Sequence, residues 1–322
     1  MRRQRRPARI RRARRGRPLA QSRAARSRRL PVSERPTGPR LTPHCTKLGQ
    51  TRAVIDFKSW LTPPPPASTA PPPDARERTT IKVEIAIVLL VTFGLSGMSS
   101  ILSLVEDALQ TAALSDQTVA LNSSRSSFSL IDLLFQLLSI LRLSAWGALG
   151  LYLLWRADLA PRAIGLARPR LKIDLGHGVG LAALIGLPGL ALYLVGNALG
   201  FNLNVVPSAL DDHWWRVPAL ILYALANSGA EEIIVVAYLI SRLRRLGLSE
   251  NASLLCSSLL RGSYHFYQGV GGGVGNFLMG LVFGRYWQRT GRLWPLLIAH
   301  ALIDIVAFVG YALLREHLSW LP

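Results

Sequence analysis

Residues 215–240 read WRVPALILYALANSGAEEIIVVAYLI, an apolar run in which Glu231 and Glu232 are the only acidic residues. About 20 apolar residues suffice for a helix to cross a hydrocarbon core some 30 Å thick. A carboxylate near a bilayer centre costs several kcal/mol unless it is paired, protonated or bound to a cation, so its default reading is functional. Two later apolar stretches carry His265 and His300, with Asp304 one helical turn after the second. Acids and imidazoles on three separate membrane helices predict one buried site with hydrolytic or metal chemistry.

Working outward, apolar runs recur at about 82–105, 129–155, 175–199, 216–241, 252–269, 274–290 and 293–314. They predict an all-α, polytopic membrane bundle of about seven transmembrane helices, integral to the cell membrane. Pro188 between Gly186 and Gly189 predicts a kink in the third run, and Gly269–Gly273 predicts a tight hairpin between the fifth and sixth. Gly280 and Gly284 either let the sixth helix approach a neighbour closely or reflect ordinary glycine usage in membrane helices. Arg142 falls near the middle of the second run, where it either reaches the acidic cluster or marks a break near Ser144.

Charge gives the orientation. Arg156, Arg162, Arg168, Arg170 and Lys172 follow the second run, Arg242, Arg244 and Arg245 the fourth, and Arg289 and Arg292 the sixth. The alternate loops are poor in positive charge, so the positive-inside rule predicts a cytoplasmic N-terminus. With this topology Glu231, His265 and His300 all fall within about 7 Å of the midplane.

The net charge of +20 belongs mostly to one end. Residues 1–80 hold 21 of the 38 Lys and Arg but 4 of the 18 Asp and Glu, which leaves 17 against 14 for the rest. Arginine clusters followed by Pro63–Pro66 and Pro71–Pro73, without a sustained apolar period, predict a disordered tail over 1–80. Such a tail suits anionic lipid or, less naturally, nucleic acid. It is equally readable as a solvated tail or as an extension upstream of a true start near Ile81. Residues 81–318 are then the membrane-embedded domain. Cys45 and Cys256 offer neither a disulfide framework nor a CxxC metal site.

Hydrolysis of a peptide bond needs a base for water and a donor for the oxyanion. Glu231 with His265 and His300 also makes a plausible three-ligand zinc site with an open position. His300 and Asp304, at i and i+4, share a helix face. Asp304 is free to orient His300, to ligate a metal, or to donate to an oxyanion if protonated. The bland alternatives are a structural ion pair for the glutamates and a core histidine at 265, satisfied by Tyr264, Tyr267 or Gln268.

In chain order, EEIIVVAYL at 231–239, RGSYH at 261–265 and HALID at 300–304 resemble the CAAX-protease and bacteriocin-processing (CPBP, Abi-type) family of intramembrane peptidases. That family's pattern is EExxxR, FxxxH, then HxxxN or HxxxD on successive helices. The resemblance spans roughly 216–310. It implies a helical bundle that cleaves a membrane-associated peptide or protein in or near the lipid bilayer. Glu231 would be the water-activating residue with Glu232 beside it and His265 as its partner, and His300 and Asp304 would hold substrate or oxyanion. Zinc on Glu231, His265 and His300 and a metal-free glutamate mechanism both remain open, and prenylated substrates follow only from the family name.

Two positions depart from the pattern. Val236 stands where EExxxR has its arginine, and Arg261 where FxxxH has its phenylalanine. Arg261 is therefore expected to supply the missing cation as counter-ion of Glu232. The competing expectations are a non-catalytic relative, such as an immunity, scaffold or transport component, and a protein whose basic tail is the working part.

Overall fold

Long apolar segments need partners that satisfy their backbone within the segment, and in lipid that leaves helices. The computed structural model describes residues 71–315, together with 61 and 317. Helices α1 (Ala75–Val91) and α2 (Phe93–Leu109) meet at Thr92 with a bend of 52° and together have the length and apolarity of one span. Asp74 caps α1 by accepting the Glu77 N–H at 2.7 Å. Helices α3 (Ser129–Arg156) and α4 (Leu171–Ala198) follow, each 28 residues and so about 42 Å long. Helix α4 continues through Pro188.

The fifth helix carries the most buried stretch. Helix α5 (Arg216–Glu231) passes through a π turn (Glu232–Tyr238) into α6 (Leu239–Arg245). Ile233 to Ile240 are buried throughout, and with Phe283, Leu293, Leu296 and Ala299 they form the main core. Beyond α6 come α7 (Glu250–Ser263), a 3-10 turn (Phe266–Gln268), α8 (Val270–Thr290) and α9 (Trp294–Ile305). A second π turn (Val306–Gly310) leads into α10 (Tyr311–Leu314). The outer faces of α1 to α4 expose Leu, Ile, Val and Phe in number, as contact with lipid tails requires.

Small residues set how closely the helices approach. Gly147 and Gly150 on α3 lie against Gly229–Ala230 and Ile233, so a methyl on Gly150 would come within 2.8 Å of Ile233. A methyl on Gly280 would stand 2.9 Å from the Ser258 Cα, so the Gly280/Gly284 pair does serve close packing of α8 on α7.

The two ends of the bundle differ in kind. At one, ion pairs join the basic loops to neighbouring helices: Arg245–Glu77 at 2.7 Å, Arg242–Glu84 at 2.9 Å and Arg292–Asp174 at 2.6 Å. Trp287 and Trp294 donate to the carbonyls of Ile164 and Ala167 in the loop after α3. At the other end, β1 (Thr118–Ala120) pairs in parallel with β2 (Asn204–Val206), Thr118 opposite Asn204. Gly269 adopts φ of 100°, and the Asn202 backbone lies so near that no side chain fits there. Only glycine makes this turn from α7 into α8.

Among the described residues four helices are long and apolar enough to cross a membrane, or five with the α1–α2 pair counted as one. The expected runs at 252–269 and 274–290 are not among them. Helix α7 has 14 residues, about 21 Å, because the chain turns at Tyr264 to present side chains inward. Helix α8 carries Asn276, Arg285 and Arg289 among its glycines. Helix α1 starts at Ala75, inside the segment expected to be a disordered tail, because Asp74 supplies a cap. The rest of that tail, with Cys45, lies outside the described residues, as do 316 and 318 of the expected domain.

Filling the α3–α5 seam tests this packing. Gly150→Leu is expected to cost about 1–3 kcal/mol and to lower the detergent melting temperature. Gly176→Leu, with open space at its Cα, should leave it unchanged. Equal melting temperatures for both would contradict the close contact.

Candidate active site

Neighbouring residues on an α-helix point about 100° apart, so an acidic doublet cannot serve a single face. The change from α to π geometry falls between Glu231 and Glu232, and such wide turns inside helices cluster at functional sites. Ser257 on α7 donates to the Val235 carbonyl at 2.6 Å, which satisfies one backbone acceptor of the loosened turn. The outcome is a division of labour: Glu231 lines a cavity of about 350 Å³, while Glu232 is wholly buried behind it.

Glu232 is the hub of the polar cluster. Its Oε1 accepts from Arg261 Nη2 at 2.7 Å and from His300 Nδ1 at 2.7 Å. Arg261, itself fully buried, also places Nη1 3.5 Å from Glu231 Oε2. Tyr264 donates its hydroxyl to the same Glu231 oxygen at 2.7 Å. The cation absent at Val236 is thus restored from the neighbouring helix, in the position expected of Arg261. One guanidinium cannot offset two carboxylates, and the hydrogen bonds from Tyr264 and His300 share what is left.

His265 lies just beyond the end of α7 rather than within a helix. Its Nδ1 is bound by the Arg261 carbonyl at 2.9 Å, which leaves Nε2 for other chemistry. His300 Nε2 stands 3.7 Å from Asp304 Oδ2, and Asn227 Nδ2 donates to that oxygen at 3.0 Å. Glu231, His265, His300 and Asp304 all line the one cavity, so four of the sequence-predicted site residues converge. The remaining pair, Glu232 and Arg261, sit behind and hold them in place.

Among the described residues no group of three or more His, Cys, Asp or Glu side chains is arranged to hold a metal. Glu231 Oε2 is occupied by Tyr264, His300 Nδ1 by Glu232, and a guanidinium stands where it would repel a dication.

Sequence reasoning overlooked two members. Tyr264, one of three residues offered as partners for a structural His265, bonds Glu231 instead, while Tyr267 accepts from Gln268 at 3.0 Å and the backbone holds the imidazole. Asn227 went unremarked, although it stands four residues before Glu231 on the same helix and so on the same face.

Removing one partner of a buried ion pair strands the other, typically at 3–5 kcal/mol. Arg261→Met is therefore expected to destabilise the fold by about 3–5 kcal/mol. Adding Glu232→Gln should recover part of that loss. A double variant no more stable than Arg261→Met in thermal melts would show that the pair is not coupled.

Residues 213–306 match the family described as "Type II CAAX prenyl endopeptidase Rce1-like". No curated protein and no solved structure matches the chain. The matched segment, under a third of the chain, contains all of Glu231, Glu232, Arg261, His265, His300 and Asp304, and the match is consistent with the CPBP family of intramembrane peptidases.

Proposed function

We propose that this chain is a CAAX/CPBP-type intramembrane endopeptidase that hydrolyses a peptide bond with a water activated by Glu231. The observation that carries this reading is the convergence of Glu231, His265, His300 and Asp304 on one cavity, with the Glu231 carboxylate oriented from behind. Oε2 is engaged by Tyr264 and Arg261, so Oε1 is the oxygen left to take a proton. As the water oxygen bonds to the peptide carbonyl carbon, its proton passes to Glu231, and His265 Nε2 accepts the second hydrogen bond of that water.

The carbonyl oxygen gains charge in this step and needs donors already in place. His300, fixed through Nδ1 by Glu232, and Asn227, held against Asp304, are the donors that line the same cavity. When the C–N bond breaks, Glu231 returns its proton to the departing amine. These residues complete the cycle without a metal ion, in keeping with the Arg261 cation beside Glu231.

Orientation belongs to the same proposal. Arg242, Arg245 and Arg292 gather with the loop after α3 at one end of the bundle, and clustered Lys/Arg favours the cytoplasmic side. The N-terminal end of α1 is tied there by Glu77 and Glu84, which supports a multi-pass protein with a cytoplasmic N-terminus.

The test is cleavage of an apolar peptide library by the purified chain in detergent. Glu231→Gln and His265→Ala are each expected to lower kcat/KM by about 100- to 10,000-fold with the melting temperature retained. Prolonged treatment with a zinc chelator should leave the rate unchanged. Cleavage identical in wild type and both variants would sink the assignment. No cleavage by any of them would turn it toward a binding or scaffold role.

A further inference from the structure

Arg142 is the midpoint of α3, which runs unbroken from Ser129 to Arg156. It is about 20 Å from either helix end, so in a core of about 30 Å it sits near the bilayer centre. Phosphate headgroups lie some 15 Å away, too far for this side chain to snorkel to them. Its side chain lines the Glu231 cavity and stacks on Trp146, 5.6 Å from the ring centroid. Among the described residues no carboxylate forms an ion pair with it. The acids of the cavity are already engaged, Glu231 by Tyr264 and Asp304 by Asn227. A cation kept at this depth normally has an anionic partner, and among the described residues Arg142 has the Trp146 ring but no ion-paired carboxylate.

The register of α3 against α5 gives the partner's position. Gly147 lies opposite Gly229–Ala230 and Gly150 opposite Ile233, so the two helices run parallel. Arg142 is then level with residues 224–225 on α5, about 10 Å from the level of Glu231 toward the β1–β2 end. An extended peptide advances about 3.3 Å per residue, so two to four residues span that gap.

Resting on the peptidase reading above, we infer that Arg142 is a specificity-determining residue that pairs with a carboxylate of the substrate, two to four residues from the bond attacked at Glu231. The planar guanidinium matches a carboxylate bidentately, and such a pair offsets the penalty of carrying that group into lipid. A C-terminal carboxylate and an Asp or Glu side chain present the same chemistry.

The test measures binding separately from turnover. Full-length protein in phosphatidylcholine nanodiscs, carrying Glu231→Gln to prevent cleavage, is titrated with three fluorescent apolar octapeptides. One is a free acid, one its C-terminal amide, and one the amide with an internal glutamate. At least one acidic probe is expected to bind 10-fold or more tightly than the neutral amide, and which one it is identifies the source. Adding Arg142→Gln should abolish the preference, and Arg142→Lys should restore part of it, with melting temperatures confirming the fold. No preference, no binding, or a preference untouched by Arg142→Gln overturns the inference. So does Arg142-dependent capture of phosphatidylglycerol in place of peptide. Cleavage of acidic and neutral probes by the wild type with equal kcat/KM refutes Arg142 and spares the peptidase. Arg142-dependent binding without wild-type cleavage does the reverse.

Discussion

The buried pair between Glu232 and Arg261 holds this site together. Two fully enclosed charges from different helices meet at 2.7 Å in surroundings made of Ile, Val, Leu and Phe. Such a pair does little for stability compared with an apolar replacement of similar volume, but it strongly resists the loss of either member. What it supplies is geometry. Glu232 fixes the His300 ring, Arg261 holds Oε2 of Glu231, and the Arg261 carbonyl holds His265. Three groups that meet in the cavity are thereby positioned by two that do not enter it.

The π turn makes this arrangement compatible with a membrane helix. The wider turn lets one glutamate face the cavity and the other the ion pair, and Ser257 compensates the backbone. The short α7 follows the same logic. Ending at Ser263, it brings Tyr264 and His265 to the depth of Glu231 instead of carrying them past it. Glycines at 97, 262 and 280 allow α2, α7 and α8 to crowd around that end.

Much of this was legible beforehand. The doublet at 231–232, the histidines at 265 and 300 and Asp304 stood out because ionisable groups are rare in apolar runs. Arg261 was anticipated as a counter-ion because Val236 left a charge unbalanced. The bond from Tyr264 to Glu231 was not legible, because a phenol beside a histidine gives no hint that a chain reversal will turn it toward another helix. Two of the seven expected segments lack the length or apolarity of a span for a related reason. Apolar composition in 252–269 and 274–290 reflects burial against other helices as much as contact with lipid.

From the sequence alone came the helical membrane class, the positions of the long spans, and the candidate site residues, since each depends on composition and local period. Tertiary structure alone decided which glutamate faces the cavity, which phenol holds it, and that Arg142 lines the same space with no ion-paired carboxylate among the described residues. Those outcomes depend on the register between helices and on a π turn, and both are set by the packing of glycines and side chains distant in sequence.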